Sequence, residues 1–308
     1  MDISIIIVNY NTRDLLRNCL NSIYATVSDV SYEIIVVDNA SRDESIPMLK
    51  REFPAVHLIE NEDNRGFGAA NNQAFRIMKG KYALLLNTDT VLKEQAVKEL
   101  FDFMESNPDT AMACGQLLNA DGSKQNSIAS FPSLLTLLVN MPLLEYCFPR
   151  RYPSKRYEYV EPIEIDSGIG ACLMVRKKAI DDVGLFDERY FFFFEETDWA
   201  REMHLKGWKI YYVPTARIYH LQGQSIGTDI SSRIEFYRSR YKYFRKWNNT
   251  PMYMLLSGIV FMRLVVNWFA TMLGSILTLG LQKDVLRKHA MYGGLLLWHL
   301  KGCSSRLS

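Results

Sequence analysis

The residues best suited to chemistry lie in one stretch of the chain, residues 184–220, which reads GLFDERYFFFFEETDWAREMHLKGWKIYYVPTARIYH. Four phenylalanines run directly into Glu195, Glu196 and Asp198, and His220 ends the stretch. Aromatic rings lower the local dielectric, which raises the pKa of a carboxyl group beside them. Such a carboxylate can accept a proton from a substrate hydroxyl. An apolar strand ending in a solvated acidic turn explains the same residues equally well, so both interpretations stay open.

The elements that must position this stretch alternate between apolar strands and amphipathic helices. The strands that we predict are Ile3–Val8, Ile34–Val37, Val56–Glu60 and Tyr82–Leu86. The helices are Arg13–Ala25, Ser45–Phe53 and Ala69–Met78. This alternation predicts an α/β fold with a parallel, doubly wound sheet, in which ligands bind at the carboxyl ends of the strands.

Polar clusters follow three of these strands, at residues 9–12, 38–41 and 87–89. Turns are often polar, so one such cluster indicates only a turn. Three clusters after three buried strands favour a binding site at one edge of the sheet.

Composition excludes several classes of function. The chain has 308 residues and a formal net charge of +2, which gives no general argument for nucleic-acid binding. Its five cysteines are scattered without a CxxC pair, which argues against a disulfide framework and a zinc site and suits a reducing compartment. The first residues, MDISIIIVNYNT, indicate a buried strand and not a secretory signal.

The chain changes in character after about residue 131. Prolines between residues 131 and 164 predict a long, loop-rich excursion.

The C-terminal region is basic, aromatic and apolar. Residues 233–247 hold six basic side chains against one Glu, interleaved with aromatics. Leu264–Leu281 carries no charge, and a second helix is predicted from Val285 to Leu300. We predict helices that lie on a membrane surface in preference to a clean span. A buried helical hairpin, a dimer seam and an RNA contact are the alternatives. The predicted domains are residues 1–230 and 231–308.

Several segments together resemble the family 2 glycosyltransferases, in particular their rhamnosyltransferase-like members. The matching segments are SIIIVNYNT, IIVVDNASRD, NRGFGAANN, LLLNTDT, DSGIGACLMVRKKAI, GLFDERYFFFFEETDW and VPTARIYH, which follow one another between residues 4 and 220. The resemblance implies the GT-A (nucleotide-diphospho-sugar transferase) fold, a Rossmann-like, mostly parallel sheet flanked by helices. The C-terminal helices then form a membrane-associating extension.

The resemblance places a nucleotide-diphosphate sugar donor at the first strand ends. Tyr10 and Asn11 would lie along the nucleobase, and Asp38 would accept hydrogen bonds from base or ribose. Asn64 and Gly66 would approach the nucleotide through their backbone, which a glycine permits. Without the resemblance, Asp38 alone and the loop of Asn64 and Gly66 indicate only turns.

Asn87-Thr88-Asp89 stands where the family has its DxD-type metal motif. A divalent cation, Mg²⁺ or Mn²⁺, would neutralise the diphosphate leaving group there. Asp89 is the expected ligand and Asn87 at most a weak one. His220 matches a position where some members supply a second ligand, although a lone histidine is as often structural.

The resemblance also assigns the acceptor side of the site. Asp166, Gly170 and Ala171 would line the donor-sugar and acceptor pocket; the alternative is a strand with a glycine bend. The family's usual Glu-Asp pair is Glu195-Glu196 here, so Glu196 aligns with the catalytic base but is one methylene longer.

Asp198 is the nearest substitute for that base. Asp187 and Glu188 are predicted to be helix-capping or structural acids, and the four phenylalanines to form a core strand that also lines the pocket.

The function implied is an inverting transfer of a sugar from a nucleotide-diphosphate donor to a lipid-linked or growing glycan in surface polysaccharide biosynthesis. A deoxythymidine-diphosphate rhamnose is the first donor expected, with UDP-linked hexoses next. The protein would act at the cytoplasmic face of the cell membrane as a peripheral or monotopic enzyme, with a homo-oligomer left open. The alternative is a non-catalytic sugar-nucleotide-binding or scaffold subunit. A Rossmann-type oxidoreductase is disfavoured, because the first turn, NYNTRD, lacks GxGxxG.

Overall fold

A computed structural model of the protein describes residues 1–154, 156–221 and 230–303. Its backbone groups into two compact units, one made of residues 1–131 and 145–226 and the other of residues 132–144 and 227–308. The predicted division after residue 230 lies beside residues 222–229, which are outside the described residues.

The elements alternate as expected through the first hundred residues. The strands are β1 (Ile3–Asn9), β2 (Tyr32–Asp38), β3 (His57–Glu60), β4 (Tyr82–Asn87), β5 (Thr90–Leu92), β6 (Thr110–Leu118), β7 (Ile128–Ala129), β8 (Ile163–Glu164), β9 (Ser167–Gly168), β10 (Cys172–Arg176) and β11 (Lys209–His220). The helices are α1 (Arg13–Thr26), α2 (Ser45–Glu52), α3 (Phe67–Phe75), α4 (Ala96–Ser106), α5 (Leu134–Leu138), α6 (Met141–Cys147), α7 (Lys177–Val183), α8 (Glu195–Leu205), α9 (Ile230–Trp247), α10 (Thr250–Leu277) and α11 (Lys283–Leu300).

The large sheet has the strand order β3-β2-β1-β4-β10-β6-β11-β5, and β8 pairs with β11. Strands β3, β2, β1 and β4 are parallel, and apolar side chains are buried on both faces of the sheet, as continuous β-branched runs predict. In this register Asn9 lies beside Asp38, and Val8 beside Asn87. The three polar clusters therefore meet at one sheet edge, as their positions in the sequence predicted.

The other half of the sheet is mixed. Strand β10 runs antiparallel to both β4 and β6, and β5 runs antiparallel to β11. The predicted α/β class is confirmed. The reversal at β10 brings the loop before it, residues 169–171, to the end of β4, where the backbone N–H of Asn87 donates to the Ala171 carbonyl (3.0 Å).

The prediction that the four phenylalanines form a strand is wrong. Residues 191–194 make an irregular bend, in which Phe193 and Phe194 have left-handed φ angles of 68° and 73°. The Phe191 carbonyl accepts from the Phe67 N–H (2.9 Å), so this backbone pairs with the first residue of α3 instead of with a strand. The acidic residues that follow are not a solvated turn but the first turn of α8.

Two further elements differ from expectation. Helix α3 begins at Phe67 instead of residue 69, and the proline-rich excursion contains the short helices α5 and α6. The C-terminal region is helical as predicted. Within the described part of the chain, α10 is the one helix long and apolar enough to cross a membrane, and only 11% of its most apolar stretch is buried.

Candidate active site

Asn9, at the end of β1, joins the polar clusters. Its buried amide donates to Asp38 Oδ2 (2.6 Å) and to Ser41 Oγ (3.0 Å), and its Oδ1 accepts from Thr12 Oγ1 (2.7 Å). The Thr12 hydroxyl also lies 2.9 Å from that of Thr88, after β4. Asn9 therefore links the ends of three strands. Its position at the end of β1 does not by itself predict this role.

The residues expected along the nucleobase are the most accessible part of this edge. Tyr10 is 49% exposed, and Asn11 is exposed with a left-handed φ of 54°. Asp38 is fully buried, and its second oxygen accepts from the backbone N–H of Ser41 (2.8 Å). In this structure the Asp38 carboxylate therefore orders the turn that flanks Tyr10. A direct contact with base or ribose stays a prediction for Asp38.

The glycine of the predicted nucleotide loop is required by packing. Gly66 has a φ of +83°, and a Cβ there would lie 2.3 Å from the carbonyl oxygen of Phe191. Its N–H donates to Asn64 Oδ1 (3.0 Å), and its carbonyl accepts from the buried Asn39 amide (3.2 Å). The loop is therefore held against the phenylalanine bend on one side and the end of β2 on the other.

The structure brings together Asp89 and His220, the two residues predicted to bind one metal ion. Asp89 precedes β5 and His220 ends β11, and because these strands are antiparallel neighbours, Asp89 Oδ1 lies 3.4 Å from His220 Nε2. Both side chains are buried, at 1% and 7% exposure. Asn87, shortly before Asp89 in the chain, is half-buried, and its backbone N–H donates to the Ala171 carbonyl.

Gln125 sets the tautomer of His220. The Gln125 amide nitrogen donates to the His220 carbonyl (3.2 Å) and to Asn119 Oδ1 (2.9 Å). Since a carbonyl only accepts, the amide oxygen must face the ring, and it lies 2.6 Å from His220 Nδ1. In the neutral ring the proton is therefore on Nδ1, and the Nε2 lone pair points toward Asp89.

This donor set fits a divalent cation. A carboxylate oxygen and an imidazole nitrogen, both acceptors, face each other in a buried site, and the second ring nitrogen has the hydrogen-bonded partner that metal-binding histidines use. No cluster of three or more His, Cys, Asp or Glu residues able to hold a metal occurs among the described residues. Of the described residues, Asp89 and His220 would supply two ligands, and other oxygens would complete the coordination.

We expect Gln125→Leu to lower the affinity for Mn²⁺ by about 10–100-fold, because the His220 ring loses the acceptor that fixes its tautomer. Mn²⁺ titration followed by electron paramagnetic resonance measures this affinity, and the imidazole ¹⁵N shifts of His220 report the tautomer directly. Gln282→Leu, at an exposed position, is the matched control. An unchanged Mn²⁺ affinity in Gln125→Leu would exclude this orienting role.

The acidic side of the site begins at the phenylalanine bend. Glu195 is buried, and Glu196 is half-buried beside the loop before β10, where a Cβ at Gly170 would lie 3.7 Å from Glu196 Cδ. Burial raises the pKa of Glu196, and hydrogen bonds from the backbone of Glu196 and Gly170 partly oppose this rise. The same loop continues to Ala171, which bonds Asn87. Glu196 is thus connected to the end of β4 through two residues.

Two other acidic residues predicted for the site, Asp198 and Asp166, bind other residues of the protein. Asp198 is buried and accepts from the Tyr190 hydroxyl (3.1 Å); burial first, and then the Asp198 charge, raise the pKa of Tyr190, which keeps it a donor. Asp166 accepts from the Phe131 N–H (2.9 Å) and pairs with Arg151 (2.7 Å). These contacts favour structural roles for Asp198 and Asp166, and their roles in the base and the acceptor pocket stay predictions.

Asp187 and Glu188 make the structural contacts expected of them. Asp187 pairs with Arg189 (2.6 Å), and Glu188 accepts from the Asn72 amide (3.0 Å). The Asn72 amide also bonds the backbone of Phe186, so Glu188 and the Phe186 backbone fasten the start of the 184–220 stretch to α3.

Comparisons with known proteins agree with this geometry. A family model described as glycosyl transferase family 2 matches residues 4–184. An N-acetylglucosaminyl-diphospho-decaprenol L-rhamnosyltransferase of Mycobacterium tuberculosis is 29% identical over 281 residues, which cover 84% of this chain and 90% of that protein. A rhamnosyltransferase of Escherichia coli K12 is 26% identical over 224 residues, which cover 70% and 82%.

Among solved structures, a mannosyltransferase of Pyrobaculum calidifontis in complex with GDP-Man and Mn²⁺ superposes with a TM-score of 0.60. Its sequence identity is 16%, and the match covers 97% of this chain and 86% of that one. At this identity the similarity shows the fold alone, and the predicted GT-A architecture is confirmed.

Proposed function

The chain belongs to glycosyl transferase family 2, and from this premise we propose that it is an inverting glycosyltransferase that moves rhamnose from a nucleoside-diphosphate donor to a lipid-linked acceptor. The observation that carries the proposal is the connection between the two halves of the site. One half holds Asp89 and His220, the candidate metal ligands, and the other holds Glu196, the candidate base. The Asn87–Ala171 hydrogen bond and the contact of Gly170 with Glu196 connect them at one edge of the sheet.

The donor would bind along the ends of β1, β2 and β4. The exposed Tyr10 ring offers a stacking surface for a nucleobase, and Asp38 holds the neighbouring turn through Asn9 and Ser41. Asp89 and His220 would hold a Mg²⁺ or Mn²⁺ ion. When bound, that ion neutralises the charge that develops on the diphosphate leaving group.

Glu196 is the base in this mechanism. Its carboxylate takes the proton from the acceptor hydroxyl as that oxygen attacks the anomeric carbon on the face opposite the nucleoside diphosphate. The carbon–oxygen bond to the diphosphate breaks in the same step, so the configuration inverts. The raised pKa strengthens Glu196 as a proton acceptor once it is ionised, since a base works best with a pKa near the working pH.

The choice of sugar and acceptor rests on relatives. The similar proteins from Mycobacterium tuberculosis and Escherichia coli are rhamnosyltransferases by name, and the first acts on a decaprenol-linked sugar. We infer deoxythymidine-diphosphate rhamnose as the donor, with UDP-linked hexoses as the next class. The exposed apolar face of α10 supports an acceptor at the cytoplasmic surface of a membrane, to which the C-terminal helices attach.

A panel of nucleotide sugars tests this proposal through thermal unfolding with Mg²⁺, Mn²⁺ or a chelator. A true donor at 100 times its Kd stabilises the fold by about 2.7 kcal/mol, which raises Tm by about 5–10 °C for a domain of this size. We expect this shift for one donor class and only with metal. Slow hydrolysis of the same donor would separate an enzyme from a binding subunit. The absence of a shift with every donor would contradict the proposal.

A further inference from the structure

Two turns at the donor edge of the sheet are fastened to each other by side chains. One turn is residues 10–12, after β1, and the other is residues 39–44, after β2. Ser41 Oγ accepts from the backbone N–H of Asn11 (2.9 Å). In return, Asn11 Oδ1 accepts from the backbone N–H of Arg42 (2.7 Å). The oxygen of the Asn11 side chain therefore already has a partner in the neighbouring turn.

Both turns contain backbone in a conformation that costs free energy. Asn11, Ala40 and Glu44 have left-handed φ angles of 54°, 65° and 67°. Residues other than glycine seldom adopt this conformation, and it persists where surrounding contacts hold it. The hydrogen bonds between the two turns are contacts of this kind, at the edge where the donor is proposed to bind.

Asp43 connects the first turns of two helices. Its Oδ2 accepts from the backbone N–H of Arg13 (2.7 Å), the first residue of α1. Its Oδ1 accepts from the backbone N–H (3.2 Å) and the hydroxyl (2.6 Å) of Ser45, the first residue of α2. The residues just before these helices, Thr12 and Glu44, make no capping bond with their own side chains. One carboxylate therefore caps both α1 and α2.

A carboxylate suits this position for two reasons. The first N–H groups of a helix have no partner inside the helix, and the N-terminus carries a partial positive charge that attracts an anion. A carboxylate also has two oxygens that both accept, whereas an amide has one. Because α1 and α2 each use a different oxygen of Asp43, an asparagine could cap one of these helices but not both.

We propose that Asp43 is a positioning residue for the nucleotide donor and acts through the turn that carries Tyr10. By fixing the starts of α1 and α2, Asp43 fixes the ends of the two turns between which the hydrogen bonds run. The Tyr10 ring, 49% exposed, is then held in place before the nucleotide arrives. A preorganised turn loses less conformational entropy on binding, so the donor affinity is higher. The inference rests on the proposed donor site and names a further residue that sets the affinity of that site.

A purely structural cap would stabilise the fold and leave the donor affinity unchanged, and the chain offers a matched comparison. Asn249, before α10, accepts from the Met252 N–H (3.1 Å) through its side chain. It belongs to the C-terminal unit, which contains none of the candidate site residues. Asn249→Ala therefore removes a helix cap and leaves the two turns as they are.

The test measures the Kd of deoxythymidine diphosphate and of UDP for the full chain with Mn²⁺ by calorimetric titration. We expect Asp43→Ala to raise the Kd of the nucleotide that binds the wild type by about tenfold. For the corresponding nucleotide sugar, KM should rise by a similar factor while kcat stays within about twofold, because Asp89 and Glu196 are unchanged. Asp43→Ala and Asn249→Ala should both lower Tm, but Asn249→Ala should leave the Kd and KM unchanged.

Asp43→Asn guards against an alanine variant that does not fold, because it keeps the shape of the side chain and one acceptor. It should raise the Kd by about threefold or more, since one helix loses its cap. A Kd within about twofold of the wild type in Asp43→Ala, or in Asp43→Asn if the alanine variant does not fold, would overturn the inference. An equal rise in Asn249→Ala would do the same, because it would trace the effect to a general loss of stability.

Hydrogen exchange of the free protein gives a second measurement that needs no nucleotide. The backbone amides of Asn11 and Arg13 should exchange faster in Asp43→Ala than in the wild type or Asn249→Ala. Unchanged exchange at both amides would overturn the inference. If neither nucleotide bound the wild type, the proposed function would fail, and the exchange rates would still decide whether Asp43 holds the turn.

Discussion

Replacing Glu196 with Gln is expected to lower kcat for sugar transfer by about 10²–10⁴-fold, the usual contribution of a general base. Gln keeps the shape of the side chain and its place beside Gly170, but it cannot take the proton of an acceptor hydroxyl. The donor contacts lie at the ends of β1, β2 and β4, so the donor Kd should stay within about twofold of the wild-type value.

The same substitution should leave the fold intact. Because the pKa of Glu196 is raised in the folded protein, the folded state binds a proton more tightly than the unfolded chain does. The free energy of unfolding of the wild type therefore falls as the pH rises from the ordinary glutamate value through the raised pKa. Gln has no such proton to lose, so Glu196→Gln should melt no lower than the wild type at neutral pH. A loss of activity with an unchanged Tm would show that the substitution affects catalysis and not the stability of the fold.

The controls for this prediction use neighbouring and distant acids. Glu94→Gln, at an exposed position, should be as active as the wild type. Glu195→Gln and Asp198→Asn test the two alternative bases, and Glu196→Asp supplies the shorter carboxylate usual in the family. In the wild type, the acid limb of the kcat profile should lie above the ordinary glutamate pKa. Near-normal turnover in Glu196→Gln would move the base to Glu195 or Asp198.

Much of the fold was predictable because strands that are buried on both faces of a parallel sheet consist of continuous runs of apolar residues. The β-branched run after Ile3 and the apolar run after Tyr82 become β1 and β4, and the polar residues after them meet at one edge. The family and its enzyme class followed from the order of short segments and are confirmed by the family match. The individual site residues remain predictions.

Two features that the sequence did not predict are the Gln125–His220 contact and the phenylalanine bend. Both depend on contacts between residues far apart in the sequence. Gln125 faces His220 only because β6 and β11 are neighbours, and no local motif marks it. Four consecutive aromatic residues predict a strand because aromatic residues have high β propensity. The Phe67–Phe191 backbone bond and two left-handed φ angles outweigh that propensity. Strained backbone of this kind is common where a chain positions functional groups, here at the start of α8.

Replacing Asp89 with Asn is expected to remove metal-dependent donor binding and to lower transfer by about 10²–10³-fold, because a neutral amide oxygen is a far weaker ligand than a carboxylate. Asn has the same shape, and a neutral group costs less to bury than a charge, so Tm without metal should be retained. Asp121→Asn, on an exposed turn, is the matched control.

His220→Asn should weaken Mn²⁺ binding less than Asp89→Asn, since the carboxylate carries the charge that attracts the cation. The two substitutions together should lose no more than Asp89→Asn alone if both side chains serve one ion, because contacting residues of one site are not additive. Calorimetric titration of donor with and without Mn²⁺ measures these differences. If Asp89→Asn kept a Mn²⁺-dependent donor affinity within about twofold of the wild type, the ion would be held elsewhere. The 3.4 Å approach of Asp89 to His220 would then be a structural contact between β5 and β11.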